Sequence, residues 1–489
     1  MGPSDLSQNF KLPYDILLYT FTFYVKNLLA SSSKKIKSSD WLSFTHVCRC
    51  WRTAALESPT LWTEPDFRFP SIARETLKRS QSLSISLSIR ASKDAKRQEL
   101  AIDVLKEHFS RIADLNLSFS SPSALEAVLR VAVRPALSLH TLSLKAVCDE
   151  DMARVVLPDN FLGSVSAGLR RLAINGFSIP WNSKFLKDLT HFEVGLSSPD
   201  LSVSQLLQVL RRCPALESLK VWDCLFTTGD DAAPVELPRL SRLDLNAQMP
   251  VLVELVSVLK LPPSTRTQLG CSAGESEASP ADMVHLLRPL LVSPETGKPT
   301  RDITALSFEW TAKHRILSCI AHNEIPSHVS SKEFFSLYFV FPTTTPPNLG
   351  EYVHNFLEAT PISNLRLLRF GNVSISPPTI RLVSTLPKLQ ALDLESTAQT
   401  CAFFIQALGI QEDADQQKCP FPSLTVLRFS SVVFGSSQLE LRSLLIKNVL
   451  SRRARGVGIN ALILVSCTGL LEEDLHELKV HVRAVLEEA

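Results

Sequence analysis

The sequence predicts an α/β fold in two parts: a small N-terminal helical bundle, then a solenoid whose helix, turn and strand units stack into a curved parallel sheet with outer helices. Two observations predict it. The opening stretch carries apolar residues at helical spacing between turn signals. The remainder returns about a dozen times to one short apolar pattern, and a unit that cannot bury its own apolar face gains a core by stacking on its neighbours.

Residues 1–66 form the helical part. Leu12-Pro13-Tyr14-Asp15-Ile16-Leu17 opens a helix. Pro13 suits position N1, where its missing N–H costs nothing, and Asp15 puts negative charge in the positive first turn. Ile16, Leu17, Phe21, Tyr24 and Val25 make one apolar stripe. The polar stretch from Ser31 to Ser39, with Lys34-Lys35-Ile36-Lys37 at its centre, reads as a loop. Asp40 suits the N-cap of a second run, in which Trp41, Leu42, Phe44, Val47 and Cys48 face inward and Trp51, Ala55 and Leu56 carry the stripe on to Pro59. Helices this short bury little of their own apolar surface, so what is left over is available for contact.

The ordered set Leu12-Pro13, Ile16-Leu17, Val47-Cys48-Arg49-Cys50-Trp51-Arg52, Ala54-Ala55-Leu56 and Ser58-Pro59-Thr60-Leu61-Trp62 resembles an F-box. The loop between the first two helices is longer and more basic than the usual pattern. The resemblance implies a module that docks on the Skp adaptor, and through it on the cullin, of a ubiquitin ligase. It maps Leu12, Pro13, Ile16, Leu17, Phe21, Leu42, Val47, Cys48 and Trp51 onto adaptor-binding positions.

The repeated pattern is L-x-x-L-x-L with Ile, Phe or Val substitutions. It recurs as Ile112-Leu115-Leu117, Leu139-Leu142-Leu144, Leu169-Leu172-Ile174, Leu189-Phe192-Val194, Leu216-Leu219-Val221 and Leu240-Leu243-Leu245. It resumes as Ile303-Leu306-Phe308, Phe334-Leu337-Phe339, Leu365-Leu368-Phe370, Leu389-Leu392-Leu394, Leu424-Leu427-Phe429 and Ile459-Leu462-Leu464. The alternating run Leu83-Ile85-Leu87-Ile89 suits a first strand. Between copies lie amphipathic helices that end in proline, as in Leu206-Leu207-Val209-Leu210 before Pro214. This resembles the irregular leucine-rich repeats that follow F-boxes in fungal F-box proteins. The array spans 67–261 and 302–469. Between them, 262–301 reads as a loop-rich insertion or joint, in which Asp282 to Leu291 suits the helix of a degenerate repeat. The loop Phe341 to Pro347 and the acidic stretch Gln411 to Gln417 are expected to project from the edge.

Strand residues alternate between faces, so those between the inward leucines line the exposed face of the sheet. They include Arg171, His191, Glu193, Lys220, Trp222, Arg242, Asp244, Asn246, Glu309, Tyr338, Arg369, Asp393, Glu395 and Arg428. Lys220, Trp222, Arg242, Asp244, Tyr338, Arg369, Asp393 and Arg428 are the candidates for binding a protein target, with Trp222 and Tyr338 as aromatic anchors. Mixed signs along this face suit a protein better than a nucleic acid. The last strand points Ala461, Ile463 and Val465 outward, and residues 470–489 show helical periodicity through Leu471, Leu475, Leu478, Val482 and Val485. That helix is expected to cap the open end.

Composition narrows the function. Over 489 residues, 45% apolar and 20% charged content exclude global disorder. A formal net charge of +2 is too small to mark nucleic-acid binding. The longest apolar run, near Val251 to Leu261, is interrupted by Glu254 and Lys260, so no membrane span is expected. The N-terminus has no secretory pattern. The cytoplasm or nucleus is therefore the expected compartment. Ten cysteines form no C-x-x-C pair and imply no metal site. No phosphate loop, nucleophile elbow or zinc-protease motif is present, and Gly456-Val457-Gly458 reads as a turn. With the resemblance, this implies a non-catalytic, cofactor-free substrate receptor of a Skp-cullin-F-box ubiquitin ligase. The alternative is a leucine-rich-repeat scaffold whose degenerate F-box merely caps the array.

Overall fold

Phe21 organises the N-terminal helices. In the computed structural model its ring stacks on Phe44 at 4.9 Å and meets Trp51 edge-on at 5.2 Å. Leu17, Val25, Ala55 and Trp62 complete a closed core around it. The structure describes residues 12–30, 37, 40, 42–89, 95–119, 122–146, 156–164, 168–195, 201–222, 224, 226–227, 233–272, 282–293, 296–324, 333–341, 349–395, 398–409, 419–435 and 441–488. Two compact units are present, Met1–Ser198 and Pro199–Ala489.

In the first unit, helix Tyr14–Ala30 packs on helix Arg49–Leu56 and on the 3₁₀ turn Pro59–Trp62. Pro13 stands one residue earlier than expected, since its carbonyl accepts the first helical hydrogen bond from Leu17 N at 3.1 Å. The second helix is not continuous from Asp40. The Asp40 carboxylate instead accepts from Lys37 N at 2.8 Å, and Thr45 Oγ1 donates to Leu42 O at 2.7 Å, local bonds that compete with the helical ladder. A 3₁₀ turn, Ser43–His46, follows, and the helix restarts after Cys48, whose thiol accepts from Trp51 N at 3.5 Å. Trp41 and Lys34-Lys35-Ile36 lie outside the described residues.

Strands Ile85–Ile89, Ile112–Phe119, Thr141–Ala146, Arg171–Asn175 and His191–Gly195 then pair in parallel and in chain order. Their patterned residues, such as Leu115, Leu117, Leu142, Leu144, Leu172 and Ile174, are buried. Helices Ala95–His108 and Pro122–Val131 supply crossovers between the first three, as parallel pairing requires.

The second unit begins in the same style. Helix Val203–Arg211 starts at a capping box, with Ser202 Oγ accepting from Gln205 N at 3.2 Å and Gln205 Oε1 accepting from Ser202 N at 3.0 Å. Strands Ser218–Trp222 and Arg242–Ala247 follow in parallel. The segment expected as a loop-rich joint then supplies a full strand, Arg266–Ser272, ahead of the helix Asp282–Leu291, which has the bounds expected of it. Only part of it, 273–281 and 294–295, lies outside the described residues.

Here the order departs from a simple solenoid. Arg266–Ser272 pairs not with the next strand in sequence but with Phe335–Val340, which pairs with Ile316–His322, which pairs with Ala305–Thr311. The three run in reverse order, and the middle one is antiparallel to both neighbours. The turn explains this: Ala305–Thr311 and Ile316–His322 are joined by four residues, with Arg315 at φ 55° and His314 N bonded to Thr311 O at 3.2 Å. Such a link closes a hairpin and is too short for a helical crossover. The order becomes sequential again through Leu367–Gly371, Ala391–Glu395, Val426–Ser430, Ala461–Val465 and Ala484–Glu488.

The reversed hairpin is packed with aromatics. Ile316–His322 turns only Leu317, Cys319 and Ala321 inward. Larger rings beside it fill the layer: Phe308 contacts Phe356 at 5.3 Å and Phe370 at 5.6 Å, and Phe339 contacts Tyr352 at 5.3 Å. Tyr352 and Phe356 belong to helix Leu349–Ala359, which covers this region. Cys213, Cys224, Cys271, Cys319 and Cys401 are buried free thiols, and burial pushes the Cys271 thiol up to about 12.

The C-terminus also differs from expectation. The helix runs over Glu472–His481 and stops, and Ala484–Glu488 adds a parallel strand beside Ala461–Val465. Val482 and Val485 fit the helical stripe, but the open edge of the preceding strand supplies ladder partners, beginning with Ala484 N to Asn460 O at 3.0 Å. The cap is therefore a helix and an edge strand together. Among the described residues, no helix is long and apolar enough to cross a membrane. Pro342 to Pro347 and Gln411 to Gln417 lie outside them.

Candidate functional site

Two surfaces stand out, one in each unit. The first is on helix Tyr14–Ala30, which is apolar on two sides. Leu17, Phe21, Val25 and, less completely, Tyr24 and Leu28 face the core. Ile16, Tyr19 and Phe23 recur at i, i+3 and i+7 on the opposite side, with the exposed Leu12 just ahead of the first turn, and Tyr19 and Phe23 are 74% and 62% exposed. Ile16 thus leaves the inward stripe in which the sequence placed it. Val47 and Cys48, expected to face inward, are also exposed, because the 3₁₀ turn breaks the second run before the next helix starts. Clustered large apolar groups open to water are uncommon on an isolated domain and mark contact sites.

The adaptor-docking residues implied by the F-box resemblance divide accordingly. Leu12, Pro13, Ile16, Val47 and Cys48 are exposed, Leu42 and Trp51 are half-buried against the core, and Leu17 and Phe21 are fully within it. Tyr19 and Phe23 were missed. Their spacing with Ile16 was visible in the sequence, but a search for one stripe per helix passes over a second.

The second surface is the outward face of the sheet in the C-terminal unit. Strand register lines its residues in a lateral row: Lys220 beside Asp244, then Gln268, Ser336, Ile320, Ser307, Arg369, Asp393, Arg428, Ile463 and Leu486. Tyr338 lies in the adjacent row between two small residues, Gly270 and Ser318. Lys220 Nζ sits 5.4 Å from the centre of the Trp222 ring, and Arg242 lies 3.6 Å from Asp244. Trp222 and Tyr338 are both half-buried. Gln268 escaped the sequence reading because its strand did.

Arg369, Asp393, Glu395 and Arg428 form the densest charge group on this face. Arg369 reaches Glu395 at 3.0 Å and Asp393 at 3.7 Å. Asp393 is 15% exposed, and its Oδ1 has no hydrogen-bond partner among the described residues. Burial holds its carboxyl above the usual carboxylate range, outweighing the opposite pull of Arg369 and Arg428. A raised carboxyl favours the fold below its unfolded pKa, and that contribution is lost as pH rises through the folded value. Asp393→Asn is therefore expected to melt at or above the wild-type temperature at neutral pH, with the gap closing as pH falls through the raised folded value toward about 4. Thermal melts across that range check this, and a large loss of stability at neutral pH would show that the ion pairs outweigh burial. A charge retained at a cost to stability fits a binding surface better than a structural one.

The arrangement can recognise a polar, mixed-charge protein surface through two charged groups, Lys220, Arg242 and Asp244 at one end of the row and Arg369, Asp393, Glu395 and Arg428 at the other, with neutral residues and the half-buried Tyr338 between them. Among the described residues, no group of His, Cys, Asp and Glu could hold a metal ion. The comparison with known proteins adds no assignment: the chain matches no family model and no curated protein.

Proposed function

We propose that the chain is the target-recognition subunit of a Skp-cullin-F-box type ubiquitin ligase. The observation that carries this is the second apolar face of the first helix, where Leu12, Ile16, Tyr19 and Phe23 stay exposed on a bundle that already has a closed core. In this reading that face docks on the Skp adaptor, and the charged row from Lys220 to Arg428 holds the target protein. The chain itself catalyses nothing. It raises the concentration of its target near ubiquitin carried by a partner enzyme, in the cytoplasm or nucleus.

The test is co-purification of the full chain with a purified Skp adaptor. The intact protein is expected to be captured stoichiometrically, and a Leu12→Ala, Ile16→Ala, Phe23→Ala variant with unchanged circular dichroism is expected to lose capture by at least about a hundredfold, the effect of removing several interface anchors. A folded intact chain that captures no adaptor would overturn the ligase reading and leave a repeat scaffold with a helical cap.

A further inference from the structure

The C-terminal unit contains a cavity of about 850 Å³ to which none of the preceding roles refers. It lies where helices Met249–Val258 and Asp282–Leu291 end beside the starts of strands Arg266–Ser272 and Phe335–Val340. Its volume falls within the range of small-molecule sites. Four prolines, Pro234, Pro262, Pro263 and Pro289, stiffen the walls.

Charge gives the cavity its character. Among the described residues its lining holds Lys260, His285, Arg288 and Arg301 and no carboxylate. Lys260 is paired outside the lining with Glu236 at 3.0 Å. Arg288 and Arg301 have no carboxylate within ion-pair distance among the described residues. Arg301 is held in place, 4.9 Å over the Phe334 ring and donating to Thr265 O at 3.2 Å. Burial lowers its pKa, with no carboxylate to offset the shift.

Two helix C-termini also meet here, each worth about half a negative charge. They do not consume the two arginines. The last carbonyls of helix Asp282–Leu291 are already taken by Thr300, whose Oγ1 donates to Leu290 O at 3.1 Å and whose N donates to Leu291 O at 2.9 Å. Roughly one negative charge from the helix ends set against two arginines leaves the cavity net positive.

We propose that this cavity binds an amphipathic anion, its apolar body against Val256, Leu259, Leu291 and Phe334 and its carboxylate or phosphate head at Arg288 and Arg301. The site is independent of adaptor docking, so either can fail alone.

The experiment titrates the full chain with dansyl-labelled undecanoate and follows its fluorescence. Saturable binding at one probe per chain is expected, with displacement by oleate or oleyl phosphate and displacement by oleyl alcohol at least about tenfold weaker, the size of one charge-assisted contact. Whichever of the two anions competes better identifies the head group. Arg288 is exposed, so Arg288→Glu should keep the wild-type melting temperature while abolishing the preference for anions, and Arg301→Gln should weaken probe binding about tenfold. No saturable binding, equal competition by the alcohol, or wild-type affinity in a folded Arg288→Glu protein would each overturn the proposal.

Discussion

Phe21→Ala is expected to unfold the N-terminal helices, whereas Ile16→Ala, five residues earlier on the same helix, is expected to leave them folded. Phe21 is 1% exposed and joins three elements, through Phe44 at 4.9 Å and Trp51 at 5.2 Å as well as its own helix. Truncating such a ring costs about 3–5 kcal/mol. A whole domain is stable by only about 5–15 kcal/mol, and a small helical bundle sits at the low end. Ile16 is 49% exposed and loses little on truncation. Proteolysis of the full chain separates the two: Phe21→Ala should be cut rapidly within the first helices and Ile16→Ala should resist like the wild type. If the proposed adaptor docking holds, both would weaken capture, Phe21→Ala by unfolding the bundle and Ile16→Ala by removing one contact group. Capture retained in a Phe21→Ala protein that resists proteolysis would show that the core closes without this ring.

This division of one motif into packing and contact residues was not readable from the sequence alone. The helical spacing of the opening residues was legible. What periodicity could not assign was which of two apolar faces turns inward, because Leu17, Phe21 and Val25 satisfy the spacing rule as well as Ile16, Tyr19 and Phe23 do. The repeats behaved differently. Each copy of the apolar pattern, from Ile112 to Leu464, lies on or just before a strand, because large aliphatic residues at alternate positions have one way to be buried in a sheet. The strands that escaped were those without that signature. Arg266–Ser272 turns Thr267, Leu269 and Cys271 inward, and Ile316–His322 turns Leu317, Cys319 and Ala321 inward. Small inward residues suffice there because aromatic neighbours supply the missing volume. That compensation depends on which strands become neighbours, and the reversed order of the hairpin hides this from any reading in chain order. The cavity escaped for the same reason, since its wall includes the start of strand Arg266–Ser272 and brings Arg288 and Arg301 beside Phe334, which is distant in the chain.

Truncation after Gly469 should convert a capped sheet into an aggregating one. The deletion removes helix Glu472–His481 and strand Ala484–Glu488, and with them the buried Leu478 and Val482. Losing these two side chains from the core costs about 3–6 kcal/mol at about 1.5–3 kcal/mol each. It also removes ties to helix Leu441–Ala454, Arg442 to Asp474 at 3.4 Å and Arg453 Nη1 to Val480 O at 3.0 Å. The newly open edge would be Ala461-Leu462-Ile463-Leu464-Val465, an uncharged β-prone run with unpaired backbone groups, which is a template for pairing with another chain. The native edge strand instead ends in Glu487 and Glu488, and Lys479 lies 3.5 Å from Glu487. Light scattering should therefore show concentration-dependent association of the truncated chain near its lowered melting temperature. Adding Ile463→Lys separates the two causes. Ile463 points outward, so lysine there should suppress association by blunting the edge while leaving the lost core stability unrestored. A truncated protein that stays monomeric and melts like the full chain would show that the sheet ends stably at Val465 without its cap.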